Sequence, residues 1–221
     1  MVKINLDDYD AVIFDMDGTL VDSMWIWTQI DIEYFGMHGM GLPSDFQASI
    51  EGKSFVQTAD YVKETYNFEE STEVMMDRWN EMAREKYSND VCYKEGVVDF
   101  LKECKIRNIK LGIATSNSKE LYNAAAKHLS FGDYFDYALT GTEITNGKPA
   151  PDVYLLVADK LGVSPNRCLV FEDVIPGIQA GHNAGMQVIG VDDEHNKALR
   201  EGKIKEADYY IYNFNELEYR G

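Results

Sequence analysis

Short apolar runs that end at acidic, glycine or hydroxyl residues recur along this chain: AVIF at 11–14, IKLGIAT at 109–115, YALTG at 137–141, CLVFED at 168–173, QVIGV at 187–191 and YYI at 209–211. Their length and abrupt polar ends predict buried strands. Helical spacing fills the intervals, as with Tyr154, Leu155, Ala158 and Leu161, where Gly162 closes the pattern. Strands alternating with helices predict an α/β protein whose parallel sheet is covered on both faces.

One interval breaks the rhythm. Residues 23–92 carry no strand signal, yet Trp27, Ile30 and Tyr34, then Val56, Ala59, Val62 and Tyr66, then Met75, Trp79 and Met82 fall at helical spacing. A stretch of that length is too long for a loop and is expected to form its own helical domain. The division reads as residues 1–22 and 93–221 for the core domain and 23–92 for the helical one. The Met and Trp stripe is expected to be the interior of the smaller domain.

Composition narrows the partners. The 221 residues are 45% hydrophobic, enough for a sizeable core, and 38 acidic residues against 21 basic ones give a net charge of −17. Such a surface disfavours nucleic acid and anionic membranes. It also repels a phosphorylated ligand unless the binding site supplies its own positive charge. Three widely spaced cysteines, Cys92, Cys104 and Cys168, suggest reduced thiols rather than a disulfide framework. The acidic start MVKINLDDYD does not read as a signal peptide, and no apolar run approaches the ~18 residues of a membrane span. A cytoplasmic protein, monomeric by default, is the expectation.

Four polar clusters fall at strand ends, where an open parallel sheet places its crevice. Asp15 and Asp17 follow AVIF; TSNS (115–118) follows LGIA; GKPAPD (147–152) opens a helix; Glu172 and Asp173 follow CLVF. Taken singly, each has an ordinary structural explanation: a turn, a helix cap, a solvated lysine. Their joint occurrence in this order points to chemistry on a phosphate ester. A carboxylate can attack phosphorus and form an aspartyl-phosphate. Two anions repel, so carboxylates suited to Mg²⁺, with Lys148 opposite, would supply the positive charge. Thr115 can donate its hydroxyl to a phosphate oxygen, and the N–H groups after it, at a helix start, add donors. Of the two acids on the first loop, one attacks while the other passes a proton to the leaving alcohol and recovers it from water. Spacing alone leaves their order open. Gly18 would let the backbone approach the phosphate.

The segments FDMDGTLVDS, ATSNS, GKPAPDVY and FEDVIPGIQAGHNAG, in this order, resemble the haloacid dehalogenase superfamily, in particular its β-phosphoglucomutase-like group. The resemblance covers nearly the whole chain. It implies a Rossmann-like core with a mobile helical cap inserted after the first strand, Asp15 as nucleophile and Asp17 as general acid and base. It implies Mg²⁺ held by Asp15, the Asp17 carbonyl and Asp173, with Glu172 an occasional or more distant ligand. Phosphate contacts would fall to Thr115, Ser116 or Asn117, and Lys148. An acid at Asp17 argues against dehalogenation, in which a halide leaves without a proton.

Departures from the group bear on the reaction. Its sugar-phosphate mutases carry a cap histidine where this chain has Trp27, and a cap arginine for a second phosphate where Phe55 stands; Glu51 falls where a lysine is usual. Loss of the distal cation favours water as the acceptor, so the expected activity is Mg²⁺-dependent hydrolysis of a small phosphorylated metabolite. Lys53 could compensate in part, which keeps a sugar phosphomutase as the alternative. A phosphoacceptor module without turnover is the second alternative, disfavoured by Asp17 and by the cap. Trp25, Trp27 and Lys53 are candidate substrate contacts; for Trp27 and Lys53 a purely structural or solvated role stands beside that reading.

Overall fold

The computed structural model describes residues 1–50, 55–141 and 146–220, and the chain forms two compact units, Met1–Met24 with Val91–Gly221 and Trp25–Asp90. In the first unit, strands β2 (Ala11–Phe14), β5 (Lys110–Ala114), β6 (Tyr137–Leu139), β7 (Cys168–Glu172), β8 (Gln187–Val191) and β9 (Tyr209–Ile211) form one sheet in the order β6-β5-β2-β7-β8-β9. Every neighbouring pair is parallel. These are the six apolar runs of the sequence. AVIF is not the first strand of the chain, however. β1 (Val2–Asn5) precedes it and pairs in parallel with β10 (Leu217–Arg220), while β3 (Val21–Asp22) pairs antiparallel with β4 (Cys92–Tyr93). These four strands are short and largely polar, so no apolar run announces them.

Side-chain alternation divides β2 between two interiors. Ala11 and Ile13 pack into a cluster with Val170, Val188, Tyr154, Val157 and Ile178, the last three from helices α7 (Asp152–Leu161) and α8 (Ile175–Asn183). On the opposite face Phe14 stacks on Phe171 at 5.1 Å and meets Phe100 edge-on, from α5 (Val97–Ile106). Both faces are therefore covered, as the near-continuous apolar strands require. Gly162, at φ +68°, ends α7 in the left-handed conformation. Leu155, which shares the helical spacing of α7, is 38% exposed and lies outside its buried face.

The second unit consists of helices α1 (Trp25–Met37), α2 (Phe46–Ile50), α3 (Phe55–Tyr66) and α4 (Thr72–Asn89). Ser71 caps α4 by accepting the Val74 N–H. Met75, Trp79 and Met82 are buried, with Tyr34, Phe35, Phe46 and Phe68. Val56 shares the α3 spacing but is 52% exposed.

One acid inside this unit makes its stability pH-dependent. Burial pushes the Asp31 carboxyl up to about 6, with the Gln47 side-chain amide, 2.8 Å away, opposing. An unfolded aspartate titrates near about 3.9. The folded value is the higher one, so this group's contribution to stability is full below about pH 4 and is lost as pH rises through about 6. Asp31→Asn is expected to be neutral near pH 4 and to raise the thermal midpoint by a few degrees near pH 8, roughly 1 kcal/mol after discounting for partial exposure. Equal midpoint differences at both pH values would contradict this.

Candidate active site

Strand β2 lies at the centre of the sheet, with β5 on one side and β7 on the other, so the crevice of an open α/β sheet forms at its carboxyl end. Asp15 leaves β2 with its N–H bonded to the Phe171 carbonyl (3.0 Å), and Thr115 leaves β5 with its N–H bonded to Leu139 (3.0 Å). Backbone pairing thus fixes both residues beyond their strands. The carboxylates of Asp15, Glu172 and Asp173 offer oxygens within 4.8 Å of one another, all three residues buried. Lys148, from the loop before α7, places Nζ 2.5 Å from Asp15 Oδ1 and also bonds Glu172 Oε1; its side chain is 9% exposed.

Three carboxylates against one ammonium leave negative charge uncompensated in a dry place. Burial pushes the Asp15 carboxyl well up, Lys148 opposing and Glu172 and Asp173 adding to the rise. Burial likewise raises Asp173, to about 7, reinforced by Glu172. Burial alone would favour neutral Lys148, but Asp15 and Glu172 outweigh it and hold the ammonium protonated. The donor set, hard oxygens with excess negative charge, fits a divalent cation of the Mg²⁺ kind.

The three acids are not equivalent. Glu172 accepts on Oε1 from Lys148 and the Tyr154 hydroxyl (3.1 Å), and on Oε2 from the N–H groups of Asp173 (2.7 Å) and Val174 (3.0 Å). Four donors commit both its oxygens, so it acts as the anchor of Lys148. Asp173 accepts one bond on each oxygen, from Thr19 Oγ1 (3.1 Å) and Asn196 Nδ2 (2.9 Å), and each oxygen retains a further lone pair. Asp15 and Asp173 are therefore the side chains best able to hold a cation. The backbone of Gly18, at φ +79°, runs so close that a Cβ there would lie 2.4 Å from Asp173 Oδ2. That close approach to a carboxylate, together with the positive φ, demands glycine.

The Asp17 carboxylate stands outside the trio. Ser23 Oγ donates to Oδ1 (2.6 Å) and Asn117 Nδ2 to Oδ2 (3.0 Å). A hydroxyl can also accept, so Ser23 can serve Asp17 in either protonation state. The Asn117 N–H donates to Thr115 Oγ1 (3.0 Å), and Ser118 caps α6 (Lys119–His128). Thr115 is buried and Ser116 is exposed.

In the helical unit, Trp27 lies edge-on to Phe55 at 5.8 Å, and both border a cavity of about 200 Å³ with Asp31, Thr58 and Trp79. Lys53 and Glu51 lie outside the described residues.

Several partners have no assigned role in the sequence reading: Ser23, Thr19, Tyr154 and Asn196. The first three lie inside the quoted segments FDMDGTLVDS and GKPAPDVY, so proximity to the motifs could have found them. Asn196 follows Asp173 by 23 residues, in a segment without a motif.

A parallel α/β sheet whose central strand ends at a buried carboxylate cluster paired with a lysine defines an α/β protein with its candidate active site at the carboxyl ends of the strands. Residues 12–191 match the family of haloacid dehalogenase-like hydrolases, and the chain belongs to that family. Among its relatives, a phosphorylated carbohydrates phosphatase of Thermotoga maritima is 32% identical, over 87% of this chain and 90% of that protein. A fructose-1-phosphate phosphatase of Escherichia coli is 29% identical, over 83% and 96%. The crystal structure of a β-phosphoglucomutase from Clostridium difficile superposes with a TM-score of 0.70 at 28% identity, over 95% of this chain and 93% of that one.

Proposed function

We propose that this chain hydrolyses a small phosphorylated metabolite, of the sugar-phosphate kind, through an aspartyl-phosphate on Asp15, with Mg²⁺ as cofactor. The chain is a phosphomonoesterase, and the observation that carries the mechanism is the pairing of Asp15 with Lys148 beside Asp173 in one buried cluster. Asp15 and Asp173, with the Asp17 carbonyl, would hold the metal. When bound, Mg²⁺ supplies the charge that lets an anionic nucleophile approach an anionic ester.

The remaining work falls to the chain's own groups. An Asp15 oxygen forms a bond to phosphorus as the bond from phosphorus to the ester oxygen breaks, and Asp17 gives its proton to the departing alkoxide. Water then attacks the phosphorus of the acyl phosphate and returns a proton to Asp17, the Asp15 carboxylate departs, and inorganic phosphate is released. Lys148 and the Thr115 hydroxyl stabilise the phosphoryl oxygens, and Glu172 keeps the ammonium in place. Ser23 and Asn117 hold the Asp17 carboxyl in one orientation through both half-reactions. Ser116 and Asn117 carry backbone N–H groups on the same loop.

The reading extends to a cytoplasmic monomer that acts on small molecules without nucleic acid or membrane partners. It draws on the net charge of −17, on three unpaired thiols, and on the lack of a membrane-crossing helix among the described residues. The test is phosphate release from a panel of sugar phosphates and nucleotides, run beside an isomerisation assay primed with hexose bisphosphate. Release from a few compounds supports hydrolysis; isomerisation without release supports a mutase instead. Chelator is expected to abolish release, Mg²⁺ to restore it, and Ca²⁺, with its looser coordination, to substitute poorly. Full rate in chelator contradicts the metal assignment.

A further inference from the structure

Beyond β8 the chain enters the segment DDEHNKALR (192–200), which neither the sequence motifs nor the reaction above employs. It is anchored at two points. Asp192 accepts a two-pronged bond from Arg200 (2.7 and 2.6 Å) and a third from the Tyr210 hydroxyl. Asp193, 2% exposed, accepts from Lys94 Nζ (2.5 Å) and from the His195 N–H (2.9 Å). Lys94 is itself tied to the first loop, its N–H bonding the Leu20 carbonyl at 3.0 Å. The backbone then breaks from helical geometry at Asn196 (φ −103°, ψ 16°), whose N–H bonds the Asp193 carbonyl at 3.1 Å. That break accompanies the delivery of the Asn196 side-chain amide to Asp173 Oδ2 at 2.9 Å.

We infer that Asn196 is a positioning residue for the cation site: held by the Lys94–Asp193 pair, its amide sets the orientation of the Asp173 carboxylate. The physical case rests on what Asp173 requires. It is 1% exposed, and among the described residues its side-chain donors are Thr19 on one oxygen and Asn196 on the other. Two donors on opposite oxygens fix the rotation of a carboxylate, as one donor cannot. A neutral amide does this without bringing a positive charge that would compete with the cation, whereas a lysine at this position would. Partners of this kind, one bond removed from the metal, typically contribute 10–100-fold to metal affinity.

The inference rests on the Mg²⁺ reading above, and the experiment separates the two. Mg²⁺ alone is titrated calorimetrically into the wild-type chain, Asn196→Leu, which keeps the volume and removes the amide, and Asp193→Asn, which loosens the anchor and removes a charge that also acts on Asp173. Circular dichroism verifies folding. The expected result is about 10–100-fold weaker Mg²⁺ binding in Asn196→Leu and a smaller loss in Asp193→Asn. In the phosphatase assay the half-saturating Mg²⁺ concentration should rise by the same factor, with kcat at saturating Mg²⁺ within about threefold of wild type. Unchanged Mg²⁺ affinity in folded Asn196→Leu overturns the inference, as does a fall in kcat without a change in Mg²⁺ affinity. If Asn196→Leu does not fold, Asn196→Ala, which also lacks the amide, decides by the same criterion. A wild-type chain that binds no Mg²⁺ overturns the metal reading and this inference together.

Discussion

Asp15→Asn is expected to lower phosphate release by about 10⁴-fold or more while leaving the fold intact. The amide retains the shape of the carboxylate but cannot act as the nucleophile. It also removes one of the negative charges that would hold the cation, so Mg²⁺ should bind more weakly. The structure adds a second, independent expectation. Asp15 belongs to a buried cluster with surplus negative charge, and Lys148 keeps its bond to Glu172 when Asp15 is neutral. Metal-free Asp15→Asn should therefore melt no lower than metal-free wild type, with unchanged far-ultraviolet circular dichroism. Activity above about one part in a hundred would remove Asp15 as the nucleophile. A markedly lower midpoint would mean that Lys148 depends on Asp15 more than on Glu172.

Gly177→Ala is expected to damage both stability and turnover, although residue 177 touches no reacting atom. A Cβ at this position would lie 1.7 Å from Glu172 Oε1 and 2.0 Å from its Cδ. Glu172 cannot swing aside at low cost, since it is fully buried and four donors converge on its two oxygens. Either α8 shifts outward or the carboxylate yields, and the latter takes Lys148 out of register with Asp15. Overpacking and the loss of a buried ion pair together suggest a destabilisation of about 3 kcal/mol or more. Turnover should fall by roughly 10²–10³-fold, the range seen when one stabilising donor is lost. Gly36→Ala supplies the control: Gly36 lies in α1 with nothing within 4 Å of its added Cβ, so this change should be neutral or slightly stabilising. Comparable losses in both variants would contradict the role given to Gly177.

The sheet was legible because each of its strands is an apolar run ended by a polar residue, and a strand buried on both faces allows little else. β1, β3, β4 and β10 escaped because they pair at the margins with mixed burial, where no periodicity is enforced. Gly177, Gly181 and Gly185 recur every four residues yet serve different ends: a Cβ on Gly181 would meet Val188 at 2.6 Å, Gly177 makes room for Glu172, and Gly185 turns the chain at φ +76° with nothing near it. The acids and Lys148 were legible as a set because strand ends converge. What the sequence could not show was the division of labour among them. Glu172 and Asp173 are adjacent carboxylates of similar chemistry, and only the positions of Lys148, Tyr154 and two backbone N–H groups separate the acid that anchors the lysine from the one proposed to hold a cation. Asn196 was invisible for a related reason, since a single amide contact across 23 residues leaves no pattern.

The central claim is that Asp15 carries the phosphoryl group between substrate and water. The most direct measurement is acid quenching of the enzyme during turnover of its best substrate with Mg²⁺, followed by mass spectrometry of the digested chain. The account predicts a phosphoryl group on Asp15, removed by hydroxylamine, absent in Asp15→Asn and lost once the substrate is exhausted. Turnover with no phosphoryl group on the chain, or with one on another residue, would contradict it, as would a stable phosphoryl group on Asp15 without release of phosphate.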